Sequence, residues 1–372
     1  MRKDIIYTRI LFFAALVMLG ACVKEPQPEP VPGEVTEFLL DTPTITMGDQ
    51  VELDVKSSTR APQTYSYFYR DHRGNYPASH DFGMFMMKTS APTQIHAEGY
   101  NNFYATLTRP VGNNMYTEWS IYLPDGKAYN HIPLYKGLGN VNFYSYRPYN
   151  ENVTNPKSIP FDATLMEGSQ SAVIDYMYAA MENLNPTSSA DMVKTPNYRH
   201  AMSLINFQMM IPSGSIGRFY LNKINVSTEN DGSWIPIKGT YDATTGTVTT
   251  TEYTNSVDFF YNFEFSRNID GGTSSYPNAS VILAPLIVSS TTTDRKLKVT
   301  IYMNQHESAP LASEPLILDL SKLRDGSAGT SYGLTAGYMY NMYVYVDPSL
   351  RIVNFEEPAV LPWGGETVNI KI

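Results

Sequence analysis

The sequence predicts an all-β protein built as two β-sandwich domains with few short helices. Three observations point there. Short runs of alternating apolar and polar residues, separated by turn signals, recur along the 372 residues. The composition favours pleated, half-buried surfaces, with 28 Tyr beside plentiful Thr and Ser. The 24 Gly and 25 Pro supply the many turns that short strands need.

The chain opens with Arg2, Lys3 and Arg9 around an apolar run from Ile10 to about Leu19. That run is too short to cross a bilayer as a helix, which needs about 20 apolar residues. A basic start, a short apolar middle and small residues at its end describe an export signal over residues 1–21. It ends in Leu19-Gly20-Ala21-Cys22, and Cys22 is the only cysteine. This resembles the lipobox of bacterial lipoproteins, in which the thiol carries a diacylglycerol and the cut falls just before it. The plainer alternative is an ordinary signal with a chance cysteine. Two acyl chains on one residue anchor stably, at about 0.8 kcal/mol per buried methylene. Residues 22–35 follow as a tether rich in proline and charge, extended rather than packed.

After the signal, 351 residues remain, with no second cysteine to staple them. Each domain must therefore bury an apolar core. The expected units are 36–190 and 191–372, divided near the polar stretch 183–197. The net charge of −9 falls to about −11 without the first 21 residues, which carry three basic side chains and one acidic. That balance argues against nucleic acid as a partner. The membrane is met only through the lipid.

The strands are expected in order. Val51, Leu53 and Val55 share one face of VELDV. VNFYSY at 141–146 sets Val141, Phe143 and Ser145 against Asn142, Tyr144 and Tyr146. Further alternating runs fall at 202–211, 219–226, 246–253, 296–303 and 338–346. GTYDATTGTVT at 239–249 reads as strand, turn, strand. VILAPLIV at 281–288 contains Pro285, which removes a ladder donor and predicts an edge or bulged strand. One segment departs from this period: Val173, Met177, Met181 and Leu184 stand at helical spacing and predict a short helix over 171–184.

No catalytic or metal motif stands out. HExxH, CxxC, GxSxG and a phosphate-binding glycine loop are all missing from the sequence. No enzyme activity, cofactor or metal is expected. The six histidines are scattered. His72 with Asp71, and His80 with Asp81, read as an ion-holding pair or, more plainly, as solvated loop. Glu118 and Asp125 form a carboxylate pair of a kind any long chain contains.

Five stretches in order resemble the fimbrillin family of surface lipoproteins and pilus subunits: SSTRAP at 57–62, VNFYSYRPY at 141–149, DYMYA at 175–179, RHAMSLINFQM at 199–209, and LTAGYMYNMYVYV at 334–346 with Trp363 beyond it. The resemblance spans roughly 36–372 and is poorest between 63 and 130. It implies transthyretin-like Greek-key sandwiches on the outer membrane. It also implies a trypsin-like cut after an arginine, loss of the first strand, and filling of the groove by a segment of the next subunit. Partners would be other fimbrial subunits, alike or different, and a host surface protein or glycan.

Physical chemistry asks for matching parts. A sheet that loses a strand exposes unpaired backbone groups and an apolar trough. An incoming strand restores both. Val51, Leu53 and Val55 alternate as an exchangeable first strand should. Arg60 and Ala61 then form the processing site, Arg60 being otherwise a plain loop arginine; Arg70 and Arg73 are rival sites. Val368, Ile370 and Ile372 alternate at the C-terminus, either as donor strand or as the last strand of their own domain. The tyrosines of 144–149 and 338–345 read as core or cross-strand residues, or as a surface for sugars.

Overall fold

The computed structural model describes residues 34–45, 79–108, 117–164, 166–167, 172–210, 218–230, 232–266, 278–288, 295–305, 311–323, 332–346, 352–355 and 359–362. Cys22, Val51, Leu53, Val55, Arg60, Ala61, Val368, Ile370 and Ile372 lie outside the described residues, as do Asp71, His72 and Trp363.

Among the described residues the protein is built from strands, and its only helical pieces are the single 3-10 turns Lys136–Leu138, Ser189–Asp191 and Leu320–Lys322. Two apolar cores organise the strands. The first lies on one face of a nine-stranded sheet. That face presents Phe82, Met84, Ala105, Leu107, Ile121, Phe143 and Ala179. A three-stranded sheet made by Val35–Leu40, His131–Tyr135 and Val193–Lys194 contributes Phe38, Leu40, Ile132 and Leu134 to the same core.

The second core is dominated by residues beyond 200. Ser203–Met210 pairs antiparallel with Asn278–Leu283 and parallel with Tyr338–Val346. Another sheet centres on Arg218–Thr228, flanked by Ser256–Ser266 and Lys296–Gln305. Ile205 and Phe207 from the first of these sheets join Leu221, Ile224, Phe259 and Ile301 from the second in one cluster. Ile205 and Phe207 share a face by period 2, although Leu204 and Asn206 are buried as well, and a register shift between Leu221 and Lys223 brings Ile224 into the core with Leu221.

The Val141–Arg147 strand belongs to both cores. It lies between Ser79–Lys88 and Met177–Leu184, and all seven of its residues are buried. Val141 and Phe143 enter the first core, and Tyr144 and Tyr146 enter the second. The alternation expected from the sequence is therefore present, with both faces packed. Ile159–Asp162 also reaches across, pairing with Ile235–Tyr241.

The helix expected over 171–184 does not form. Met177–Leu184 is a strand paired with Val141–Arg147. Met177 and Met181 are four apart, a spacing that also places them on one face of a strand, and Ala179 between them is buried. A register shift between Met181 and Leu184, with Asn183 at φ 57°, then turns Leu184 inward against the parity of the run. Pro285 falls in the break between Asn278–Leu283, at the end of its sheet, and Leu286–Val288 in another. The 239–249 stretch forms strand, turn and strand as expected, with Gly246 at φ 77° in the turn.

Candidate functional site

Val35–Leu40 is the first strand among the described residues, and it sits in the middle of the three-stranded sheet. It runs antiparallel to His131–Tyr135 and parallel to Val193–Lys194. Its burial alternates at the end that matters: Phe38 is fully buried, Leu39 half-buried and Leu40 buried. Phe38 meets the Phe143 ring at 6.0 Å between centroids. Backbone bonds continue to the strand's end, where Leu39 N donates to Met192 O at 2.8 Å and Asp41 N to Lys194 O at 2.9 Å. Lys136 N donates to Glu34 O at 3.1 Å, and the two side chains form an ion pair. Trp119 Nε1 closes the other end by donating to Asp41 O at 3.2 Å. The chain then crosses to the large sheet, where Thr44–Ile45 pairs parallel with Asn197–Tyr198.

The strand's partners 131–135, 193–194 and 197–198 are all later than residue 60 in the sequence. Withdrawal of residues 34–45 would leave backbone donors and acceptors of 131–135 and 193–194 unpaired. It would also uncover the apolar core at Phe143, Ile132 and Leu134. Sequence reasoning named 51–55, which lies outside the described residues, and did not name this strand. The signal was Thr36, Phe38 and Leu40 on one face, but Leu39 blurs the alternation and the proline-rich tether runs straight into it.

His96 buttresses the neighbouring strand. Its Nε2 accepts the Tyr135 N–H at 3.1 Å, and its ring packs between Tyr100 and Tyr135. Burial, and secondarily the charge of Lys88, lower its pKa from 6.5 to about 4.

The remaining chemistry-bearing residues do not converge. His80 and Asp81 are adjacent on Ser79–Lys88, so they point to opposite faces; His80 is buried and Asp81 exposed. They are neither loop nor ion pair. The Asp125 carboxylate is taken up by Tyr129 OH and by Lys127 N–H at 3.1 Å, while Glu118 is exposed on its strand. His200 Nδ1 lies 2.9 Å from Asp175 Oδ1, and Arg147 Nη1 donates to the Asp175 backbone carbonyl at 3.0 Å. Both side chains of this His–Asp pair are about 1% exposed, which bars a substrate. The pair fastens strands near the junction of the two cores, and it explains the histidine that opens 199–209. No cluster of His, Cys, Asp or Glu suited to a metal occurs among the described residues. None of the described helices is long and apolar enough to cross a membrane.

The tyrosines divide. Tyr144, Tyr146, Tyr338 and Tyr340 are core residues, and the Tyr340 hydroxyl donates to Gly333 O at 2.9 Å. Tyr149, Tyr104 and Tyr122 lie outside the core, with Tyr104 ring centroids 5.0 and 5.3 Å from the other two.

Comparison with known proteins bears on the whole chain. A family model described as Fimbrillin-like matches residues 59–363. A candidate cell adhesion protein from Bacteroides ovatus has a similar fold at 14% identity, TM-score 0.52, over 89% of this chain and 99% of that one. A second from Bacteroides uniformis gives 15% identity and TM-score 0.48, over 88% and 98%. The tip fimbrial protein Mfa3 from Porphyromonas gingivalis gives 10% identity and TM-score 0.41, over 79% and 96%. A search of curated protein sequences returned no match.

Proposed function

Because the chain belongs to the fimbrillin-like family, we propose that it is a lipid-anchored subunit that enters a surface fimbria by protease-triggered exchange of its first strand. Membership itself makes it a fimbrial or adhesin subunit of a cell-surface appendage, assembling with other fimbrial subunits. That family points to a structural role.

The observation that carries the exchange reading is the seat of Val35–Leu40. The strand is central in its sheet, its Phe38 is fully buried, and its partners lie beyond residue 60. A cut between Arg60 and Ala61 would leave residues 34–45 held by non-covalent contacts alone. It would also separate the body from a lipid on Cys22. Val35–Leu40 thus stands as a candidate exchangeable strand beside Val51, Leu53 and Val55, which lie outside the described residues, and Arg60 keeps its proposed role. For the donor, Val368, Ile370 and Ile372 remain the candidates. The preceding strands Ile352–Phe355 and Ala359–Pro362 both pair with Tyr338–Val346 of their own chain, which favours a donor beyond residue 362. The division into units near residue 190 draws support from the two cores, although Val141–Arg147 enters both and Ile159–Asp162 joins the second.

The test is the surface form of the protein. Wild-type chain should yield an N-terminus at Ala61 and an SDS-resistant ladder that collapses on boiling. Arg60→Gln should give a single band at lipidated mass. A ladder that persists in Arg60→Gln, with no other arginine cut, would exclude this trigger.

A further inference from the structure

The face of the nine-stranded sheet that turns away from the first core carries one continuous cross-strand row. Tyr122, Tyr104, Gly83, Tyr146, Tyr178 and Arg199 stand opposite one another on six successive strands. The second core covers the middle of the row: Tyr146 is fully buried, and Tyr178 lies against the turn at Gly246. The other end is open. Tyr122 is 37% exposed, and Tyr104 and Tyr149 are half-buried.

Tyr104 anchors the group, with Tyr122 and Tyr149 packed against its ring. Tyr104 OH donates to Asp81 Oδ1 at 3.0 Å. Tyr149 belongs to a loop pinned at Asn150, whose carbonyl accepts from Tyr146 OH at 2.9 Å and from Asn102 Nδ2 at 2.8 Å. Tyr146 OH also donates to Asn102 Oδ1 at 2.7 Å. Tyr149 is tilted 57° to Tyr104, so the rings form a step over a shallow shelf. The next cross-strand row, Ser120, Thr106 and Asp81, adds two hydroxyls and an exposed carboxylate.

We propose that the Tyr104–Tyr122–Tyr149 shelf, with Asp81 beside it, binds a neutral saccharide. Rigid tyrosine faces meet the C–H face of a pyranose at low entropic cost, and a carboxylate accepts from neighbouring sugar hydroxyls. Preorganised rings need not be ordered on binding. The exposed carboxylates of Asp81, Glu118 and Glu151 around the shelf, and the acidic chain as a whole, disfavour sialylated or sulfated sugars. A peptide would use a sheet edge or an anchoring pocket, whereas this is an open sheet face. The inference rests on the adhesive side of the family reading and is independent of strand exchange.

The experiment uses purified, unpolymerised chain, so a failure of assembly leaves it readable. The chain is screened on neutral, sialylated and sulfated glycans and on basic peptides, and the best neutral binder is titrated by saturation-transfer NMR. Tyr122→Ala, at an exposed position, should weaken binding about tenfold or more. Tyr104→Ala should do the same and Asp81→Asn should weaken it several-fold, while Tyr253→Ala, on an exposed ring of another sheet, leaves it unchanged. No neutral glycan bound at millimolar concentration, binding that survives Tyr122→Ala, or binding confined to anionic glycans or basic peptides would each overturn the proposal.

Discussion

Gly83 has no side chain because the Tyr146 ring occupies that space: a Cβ there would fall 2.1 Å from Tyr146 Cε1. The ring is buried and its hydroxyl is tied to Asn102 and Asn150, so it cannot swing away freely. Gly83→Ala should destabilise the chain by about 1–3 kcal/mol, measured by urea melts. Tyr149 should become more mobile in the same variant, because its loop hangs on that hydroxyl. His96 gives a pH dependence. Its folded pKa of about 4 lies below the unfolded 6.5, so the unfolded chain binds the extra proton between those values. The stability it contributes is present above 6.5 and falls away as pH drops towards 4. A melting temperature that declines over this window, and declines less in His96→Gln, is the expected result. Protonation also removes the acceptor for Tyr135 N–H, beside the first strand.

On the proposed exchange, Val35–Leu40 is the element that must leave its sheet. Phe38→Ala removes a fully buried ring from the core it shares with Phe143 and should cost about 3–5 kcal/mol in the uncut chain. After cleavage at Arg60 the same change should speed release of the N-terminal fragment, read by size-exclusion chromatography and mass spectrometry. Equal release from wild type and variant would mean that Phe38 is not what retains the strand. The 177–184 strand shows why elements can be misread. Its methionines fit a period of four as well as a period of two, and only pairing with Val141–Arg147 decides between them. Val35–Leu40 is as hard to read along the chain. Residues 36–40 carry a five-residue pattern with one discordant leucine, and its partners are about a hundred and more residues away.

At the scale of the whole molecule, the two cores share Val141–Arg147, so damage in one should be felt in the other. The buried Asp175–His200 pair near this junction is costly to break from one side. Asp175→Ala should destabilise by about 3–5 kcal/mol and should lower the melting of both cores together. Two separate transitions would show that the cores fold independently there. Assembly makes a further demand on the whole subunit. A synthetic peptide spanning residues 34–45, added to cleaved chain, should refill the groove and suppress the SDS-resistant ladder. An unchanged ladder would mean that this groove is not the joint.

The sequence by itself determined the strand-rich class, the family and the positions of most strands. These follow from period-2 burial and turn residues, which are local properties that a short window carries. Tertiary structure alone decided that Val35–Leu40 is the central strand of its sheet and that 177–184 is extended. It also showed that the His200 side chain is sealed against Asp175, and that three of the tyrosines stay outside the cores. Each of those outcomes depends on residues brought together from distant parts of the chain, and no pattern read along the chain records which of two compatible partners a side chain will meet.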